Sequence, residues 1–426
     1  MSGEYRFMFG NWQTARVDIE IPLYGVYIVG KLNDVGYMQG SFQLDQVGKS
    51  GKSNAELIDA TTPFRNFIVV VRDGLPVWGG YITSRTYQAQ SKSLQIYAKA
   101  YEGYYDERIV PKYELGSGGL AFFESDQGLI FYFGTSSFHQ IHATHAGPLF
   151  PLSFLPEDSN VPFGPEIIPG IPYSGPVTGV NKTYQVLRRD YTTYRQMVDS
   201  IANSDDGFDW RIVPRFVMGQ SVILGGFGGF HDSPTYVPLP GPPYEPLPAM
   251  EVHKFVLFGY PTLSAGLSGE STIFEYPGNI LNYYRTDNLS GAGTGIIGIG
   301  AGQGFDMLVS EILNTDLIDV RGGFIPRDVV IPLKHIEDQG VLDARVAQEN
   351  LKRKPPKVTY KVDVRPDLTP EFGTYDLGSA ATLIIRDPMH PEGIRVPVTI
   401  NEYALRPGSS EGGAEEIALG FVGDFE

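Results

Sequence analysis

Residues 67–83, FIVVVRDGLPVWGGYIT, decide the fold of this chain. An apolar run, an Asp73-Gly74 pair and a second apolar run are typical of a β-hairpin, because Asp-Gly readily adopts the tight turn that matches strand twist. In residues 94–100 apolar and polar side chains alternate, which predicts a further strand after the hairpin. The stretch holds no nucleophile beside a base and no cluster of metal ligands, so it indicates a structural sheet.

The remainder of residues 1–110 is also rich in predicted strands. Val17, Ile19 and Ile21 alternate with charged residues, which is the period of a half-buried strand, and residues 41–44 repeat the pattern. Residues 54–61 are compatible with a short helix or a turn. Several short strands at this spacing predict a small barrel or sandwich.

The composition bounds the size of the protein and its partners. With 426 residues, 42% of them hydrophobic, the chain is long enough for roughly two to four domains. The net charge of −16 disfavours tight binding to phosphates or anionic lipid, because such binding requires neutralisation by Lys and Arg. An acidic chain is still suited to line a channel that DNA passes without sticking.

Cysteine is absent from the sequence, which excludes disulfides, thiolate chemistry and cysteine metal sites. This fits a protein that folds and assembles in a reducing cytoplasm. Residues 1–18 carry charged side chains and no apolar core, so we expect no signal peptide. No apolar run approaches the roughly 18 residues that span a bilayer, so we expect no membrane-spanning segment.

The chain beyond residue 110 continues with an insertion and a mixed region. Residues 111–184 are rich in proline and aromatic residues. Because proline at such density cannot lie in central strands, we interpret this segment as an insertion. Residues 185–340 are predicted as a mixed α/β domain with a loop-rich tract at residues 219–248. Residues 184–203 predict the first helix, since their apolar side chains approximate one stripe.

The last region, residues 341–426, begins with a second predicted helix, residues 341–353, which two prolines follow. In residues 358–364 apolar and polar side chains alternate, and later strands complete another all-β unit. The chain is therefore predicted to be mainly β with some α, an α+β fold. Two small β-barrel domains, residues 1–110 and 341–426, are expected to flank a mixed α/β region with long loops rich in Pro and Gly.

Two glycine-rich motifs suggest nucleotide sites but fail on spacing or context. Residues 48–53, GKSGKS, lack the glycine that a phosphate-binding loop requires five positions before Gly-Lys-Ser, where Gln46 stands. No clear helix is predicted to start here, so a solvated loop is the interpretation. Gly293, Gly295 and Gly298 match the dinucleotide fingerprint, but a turn precedes them and an apolar strand follows. We interpret them as strand glycines that allow another backbone to approach.

The candidates for a metal site are His139, His142 and His145. Their spacing gathers them on neither one helix face nor one strand face. Only a loop would bring them together, with Glu124 or Asp126 as a further ligand, or a threefold axis that gathers one histidine from each subunit. A polar loop without metal is the alternative, so neither a metal nor a cofactor is assigned.

The sequence predicts no enzyme. No Ser-His-Asp, Cys-His or Gly-x-Ser-x-Gly arrangement occurs in a recognisable context, so no catalytic residue is assigned. The carboxylate pairs Asp205-Asp206 and Glu415-Glu416 lie at predicted element ends or turns, where acidic residues are common. They therefore give little support to glycosidase chemistry.

Three segments resemble the tail-hub or minor tail proteins of siphophages that infect actinobacterial hosts. They are residues 67–83 with 94–106, residues 206–212 with 274–280, and residues 375–378 before the last strands. Proteins of this family are similar in fold to the baseplate hub of contractile tails and to the N-terminal part of secretion-system spikes. The resemblance spans roughly two thirds of the chain, and the two Pro-rich tracts do not match the common core.

The resemblance implies a structural virion protein without an active site. A homotrimer would close the distal end of the tail tube, and two tube-like barrels per subunit would join the sixfold tube to the threefold tip. The implied partners are the distal tail protein ring, the tape measure protein and tip or fibre proteins, and DNA would pass without specific binding. The implied location is the tail tip, after synthesis in the host cytoplasm.

The alternative function is a tail enzyme or binding module that degrades or grips the host envelope. An aromatic cluster in residues 122–133 and the Pro/Gly-rich tracts support it. Because no catalytic arrangement accompanies them, the structural function is preferred.

Overall fold

The computed structural model describes residues 3–44, 53–108, 120–127, 131, 152–154, 178–187, 193–202, 206–218, 250–260, 262–263, 272–287, 293–318, 323, 325–334, 336–353, 358–408 and 414–423. Within them the chain is mainly β with few helices, as predicted. It forms two compact units, Met1–Leu281 with Asp363–Leu419 (unit 1) and Asn282–Val362 with Gly420–Glu426 (unit 2). The four-part domain division stays a prediction.

The strands are β1 (Tyr5–Asn11), β2 (Val17–Glu20), β3 (Tyr24–Lys31), β4 (Tyr37–Gln43), β5 (Asn66–Arg72), β6 (Leu75–Gln88), β7 (Ser93–Ala100), β8 (Leu120–Asp126), β9 (Leu152–Phe154), β10 (Asn181–Leu187), β11 (Asp209–Met218), β12 (Met250–Gly259), β13 (Thr272–Tyr276), β14 (Ile280–Asp287), β15 (Gly295–Ile299), β16 (Val309–Leu313), β17 (Asp328–Pro332), β18 (Val358–Val364), β19 (Ala380–Asp387), β20 (His390–Arg406) and β21 (Glu416–Val422). The helices are α1 (Asn54–Ala60), α2 (Tyr194–Ala202), α3 (Thr315–Ile318) and α4 (Gln339–Arg353), with 3₁₀ turns at Tyr101–Glu107 and Gly304–Asp306. No helix in the described part of the chain is long and apolar enough to span a bilayer.

The hairpin predicted from residues 67–83 is present. Strands β5 and β6 pair antiparallel up to Arg72 and Leu75, and the two residues between them form the turn. Asp73 and Gly74 have φ values of 50° and 84°, the left-handed conformation that a two-residue hairpin turn requires. Strand β5 is buried from Asn66 to Val71, which explains its uninterrupted apolar run.

A single sheet joins the N-terminal and C-terminal parts of unit 1. Its strand order is β21-β20-β3-β4-β7-β6-β5-β1-β2, with β19 also on β20 and β13 parallel to β19. Strand β20 is 17 residues long. Its first part pairs with β19 and its last part with β3, where Tyr403 lies opposite Gly30.

The expectation of two separate β-barrels at residues 1–110 and 341–426 is not supported. The sheets formed by the described residues are open, and the pairing of β20 with β3 unites the two regions. The reason is the length of β20. At about 3.3 Å per residue it extends well beyond one ordinary partner, so its two ends take different neighbours.

The first predicted helix is half wrong, whereas the second is confirmed. Residues 181–187 form strand β10, and Val186 and Leu187 pair with Ala121 and Leu120 on β8. Pairing with a partner distant in sequence overrides the approximate helical period there. The helix begins only at Tyr194, from which point the apolar stripe is buried. Helix α4 matches the second prediction to within two residues at its start.

An aromatic core fills the space between β11, β12 and the 3₁₀ turn after β7. Phe131 lies with its ring centroid 5.1 Å from Phe208, 5.7 Å from Trp210 and 5.5 Å from Phe258. Tyr105 stacks at 5.7 Å on Trp210 from the other side. Of the predicted aromatic cluster of residues 122–133, only the side chain of Phe131 lies in the described part, and it is buried.

Unit 2 contains a small sheet with one helix packed on it. Strand β15 is central, with β16 antiparallel and β17 parallel to it. Ile296 faces Leu342 and Val346 of α4 in a compact apolar core. Gly298 is required for this packing, because a Cβ at that position would lie 2.2 Å from a methyl carbon of Val346. Strands β14 and β18 pair with each other outside this three-stranded sheet, with Tyr283 and Tyr360 in contact.

Trp78 anchors the hairpin to the strand that meets β20. It is 4% exposed, and its indole N–H donates to the Val29 carbonyl at 3.2 Å. The hydrogen bond crosses from β6 to β3, two strands that are not neighbours in the sheet order.

Trp78→Ala is expected to lower the free energy of unfolding by about 3–5 kcal/mol, because it removes a large buried side chain and leaves the Val29 carbonyl without its donor. Urea unfolding followed by far-UV circular dichroism measures the loss. Trp78→Phe keeps most of the volume and should cost clearly less. An alanine variant as stable as the wild type would contradict the anchoring role.

Candidate functional site

The predicted phosphate-loop motif takes a different role at its described end. Residues 48–52 lie outside the described residues, but Ser53 is the N-cap of α1. Its hydroxyl accepts the Glu56 N–H at 3.3 Å, and the Glu56 carboxylate accepts the Ser53 N–H at 2.7 Å. Of the two alternatives for residues 54–61, the helix is therefore the one that is present, and the expectation that no clear helix starts after the motif is wrong. The sequence signal was Ser-x-x-Glu, the capping box.

The three glycines of the dinucleotide fingerprint belong to the sheet of unit 2. Gly295 and Gly298 lie in β15, and Gly293 precedes it. A Cβ at Gly295 would lie 2.4 Å from a carboxylate oxygen of Asp328 on the adjacent strand. The glycines thus allow close approach of neighbouring groups, as interpreted, although those groups are side chains and not backbone.

The predicted metal ligands His139, His142 and His145 lie outside the described residues. Among the residues that the structure describes, no group of three or more His, Cys, Asp or Glu could hold a metal ion. The carboxylates of the acidic pairs engage separately, Glu415 with Arg72 and Glu416 with Arg406. The structure therefore does not combine Glu415 and Glu416 into an acid–base pair.

Arg72 and Glu415 form a buried clasp between sequence-distant parts of unit 1. The guanidinium donates from Nε at 2.9 Å and from Nη2 at 3.1 Å to the two carboxylate oxygens, and from Nη1 to the Phe372 carbonyl at 2.9 Å. Tyr5 donates its hydroxyl to the same carboxylate, and the Gly3 N–H donates at 3.2 Å. Although burial raises the pKa of Glu415, these donors outweigh it and hold the pKa below its usual value. The clasp is structural, because every oxygen already has a donor.

The buried Glu102 lines a small, partly open cavity in the same unit. The cavity, about 30 Å³, is also lined by Trp78, Arg211 and Tyr403. It has room for about one or two water molecules and none for a substrate. Glu102 accepts the Ile212 N–H at 2.7 Å. Burial raises the pKa of Glu102 to about 7, against the lowering effects of that N–H and of the nearby arginines.

Lys254 is buried beneath aromatic rings, a feature that the sequence analysis missed. Its ammonium lies 4.9 Å from the ring centroid of Trp12, 5.5 Å from Phe67 and 5.4 Å from Tyr101. Burial lowers its pKa well below the ordinary value. With no exposed surface, this amine is closed to a substrate and serves the packing of the core.

The feature best suited to an external function is a row of tyrosines on the outer side of β3, β4 and β7. This tyrosine face consists of Tyr24, Tyr27, Tyr37 and Tyr97. Gln39 lies opposite both Tyr27 and Tyr97 in the ladders, so all three share one side of the sheet. An irregularity between Tyr24 and Tyr27 brings both to this side, although they are three residues apart.

The tyrosine face is exposed and lies on paired strands. Tyr24 is 48%, Tyr37 45% and Tyr97 36% exposed, and the ring centroids of Tyr27 and Tyr37 are 6.1 Å apart. The guanidinium of Arg406 lies 5.1 Å from the Tyr27 ring centroid. Tyrosines held on strands present large contact area at little entropic cost, which is typical of protein interfaces. Alternation of Tyr97 with Ile96 and Ala98 was the signal in the sequence that could have revealed it.

Comparison with solved structures shows the fold that carries these features. The chain is similar to the prophage MuSo2 43 kDa tail protein from Shewanella oneidensis, with a TM-score of 0.52 and 9% identity over 98% of both chains. It is also similar to the tail protein from Neisseria meningitidis MC58, with a TM-score of 0.51 and 12% identity over 100% of this chain and 97% of the other. No protein-family model matches the sequence. No curated protein is similar to it in sequence.

Glu102→Gln is expected to change the pH dependence of stability. A carboxyl whose pKa is raised in the folded state from 4.5 to about 7 makes stability fall as pH rises between those values, because the unfolded chain releases its proton first. Glutamine carries no such proton and still accepts the Ile212 N–H. As the pH rises from 4.5 to 8, the free energy of unfolding of the variant should therefore increase relative to that of the wild type by on the order of 3 kcal/mol.

Thermal and urea unfolding across this pH range measure the effect. Glu107→Gln, an exposed change in the same 3₁₀ turn, is the control and should follow the wild-type profile. A constant difference between Glu102→Gln and the wild type from pH 4.5 to pH 8 would show that Glu102 stays ionised in the folded protein.

Proposed function

We propose that this protein is a structural component of a bacteriophage tail. The observation that carries the proposal is the likeness of fold to one prophage tail protein and one further tail protein, over nearly the whole length of all three chains. The tyrosine face supports it, because an assembly protein needs a rigid, exposed contact surface and no substrate cavity. The protein would act in the virion, in the tail.

Within the tail, the proposed position is the tip hub. The resemblance of the sequence to siphophage tail-hub proteins supports this position. Three copies would form a ring that joins the sixfold tube to the threefold tip. The distal tail protein ring, the tape measure protein and tip or fibre proteins are the proposed partners. An actinobacterial host remains part of the same proposal.

The tyrosine face is the proposed contact between the ring and its neighbours. It combines exposed rings with Gln39 and Arg406, the mixture of aromatic area and polar groups found at interface centres. It lies on three neighbouring strands, so its residues are held at fixed spacing. A contact of this kind can be tested without disturbing the core.

Tyr37→Ala and Tyr97→Ala are expected to reduce incorporation into particles while leaving the free energy of unfolding within about 0.5 kcal/mol of the wild type. The double variant should lose about tenfold or more of tail incorporation if the rings are interface hot spots. Immunoblots of purified particles measure it. Tyr87→Ala is the control, because Tyr87 is 52% exposed but lies opposite the buried Leu94, on the other side of the sheet. Full incorporation of the double variant would remove this face from the assembly.

A tail-tip reconstruction tests the hub position directly. Three copies of this chain around the tube axis are expected, and five or six copies would rule the trimer out.

The net charge of −16 per chain also predicts that many Asp and Glu side chains face the channel, where they would repel DNA during genome ejection. A neutral or basic channel wall, with acidic residues on the outer surface, would show that the charge serves solubility.

The alternative, an envelope-degrading or envelope-binding tail enzyme, has one separate test. Purified protein incubated with host cell wall should release no soluble fragments if the structural proposal is right. Turnover would favour the enzyme and would direct attention to the tracts 111–184 and 219–248.

A further inference from the structure

The sheet of β15, β16 and β17 in unit 2 has two unlike sides, and among the described residues a helix covers only one of them. Side chains alternate along each strand, so Ile296 and Gly298 point to α4 and the residues between them point away. In the described residues, no helix or strand packs on that second side. We call it the bare face.

The bare face is predominantly apolar. Its apolar members are Ile297, Ile299, Val309, Leu313, Val330 and Pro332. Val309 is 46%, Leu313 51% and Val330 54% exposed. These side chains lie on three neighbouring strands and share one side of the sheet, so the apolar positions are close together.

The charged members of the bare face are both acidic. Glu311 lies opposite Ile297 in the antiparallel ladder, and Asp328 lies opposite Gly295 in the parallel one. Both are exposed, and no Lys or Arg occupies any of the nine positions of the face. The field at this surface therefore favours a partner that carries basic side chains beside its apolar ones.

The dimensions of the face fit one helix. Five-residue strands are about 17 Å long, and three of them are about 10–14 Å wide, giving a face on the order of 200 Å². That is far below the about 800 Å² per partner of a standard protein interface, but it matches a helix about 10 Å in diameter and about 11 residues long. A second copy of this chain is a poor occupant, because face-to-face packing would bring four carboxylates, two from each copy, into one small apolar contact that has no basic side chain.

We propose that the bare face binds a single amphipathic helix with an apolar stripe flanked by Lys or Arg, supplied by a partner protein. The helix would complete a three-layer arrangement, with α4 on one side of the sheet and the partner helix on the other. The apolar stripe would cover Ile297 and Val330, and the basic flank would lie beside Glu311. This inference is independent of the tail-hub proposal and stands or fails with unit 2.

The test uses the full-length protein and a fluorescent peptide of about 14 residues, with Leu at helical spacing and Lys on both flanks. Saturable binding measured by fluorescence anisotropy is expected. Val330→Arg should weaken binding by about tenfold or more. Glu311→Lys should weaken it by about threefold to tenfold and restore binding to a peptide with Glu in place of Lys. The charge swap distinguishes a specific face from general stickiness.

Val422→Arg is the matched control, since Val422 is 56% exposed on a strand outside the bare face, and it should bind the peptide as the wild type does. Circular dichroism checks that each variant is folded. The proposal is overturned if no peptide binds saturably, or if Val330→Arg binds like the wild type. It is also overturned if a strand-patterned peptide of equal composition binds equally well, or if sedimentation shows a dimer of the free chain that Val330→Arg dissociates.

Discussion

Main-chain pairing between β3 and β20 is the constraint on which the architecture of unit 1 depends. It joins residues separated by most of the chain length, and it requires a glycine at position 30, because atoms of the Tyr403 ring lie 2.4–2.7 Å from where a Cβ would be. The Tyr403 hydroxyl continues past Gly30 to donate to the Val77 carbonyl at 2.8 Å. Strand β20 is thereby fixed both to β3 and to β6, the second strand of the hairpin. The same pairing places Arg406, at the end of β20, over the ring of Tyr27 at one border of the tyrosine face.

Largely buried arginines lie where sequence-distant segments of unit 1 meet; the carboxylate that pairs with Arg72 is buried, whereas the one that pairs with Arg211 is half exposed. Arg72 with Glu415 ties the end of β5 to the segment before β21, and Arg211 with Asp376 ties β11 to the loop before β19. Desolvating such pairs costs much of what their attraction contributes, so their net effect on stability is modest. Removing one partner, however, leaves an uncompensated charge in the interior. We infer that these pairs select one arrangement of the segments over other compact ones.

Local sequence patterns identified the elements, and distant pairing decided what they became. The hairpin was predictable because Asp73-Gly74 sets its turn, and α4 because its apolar period and the prolines after it agree. The helix predicted over residues 184–203 was wrong at its start. An approximate helical period in the sequence carries no information on the pairing of residues 184–187 with the distant strand β8. The prediction of two barrels failed for the same reason. No local sequence signal indicates that one strand of 17 residues pairs with β19 along its first part and with β3 along its last part. The tyrosine face as a whole could not be predicted from the sequence, because Tyr27 and Tyr97 come to the same side only through pairing of their strands with β4, where Gln39 lies opposite both. The irregularity in β3 that brings Tyr24 to this side has no clear signal in the sequence either.

The tyrosine face and the bare face differ in the kind of contact that each can make. The first is a broad, rigid array of amphipathic rings with polar neighbours, which tolerates water and suits another protein surface of similar flatness. The second is small, apolar and acidic, and its area is too limited to hold a folded domain on its own. Small faces of this kind gain affinity when a second contact raises the effective concentration of the partner. A protein that carries both is therefore suited to join unlike neighbours, one through an extended surface and the other through a single helix.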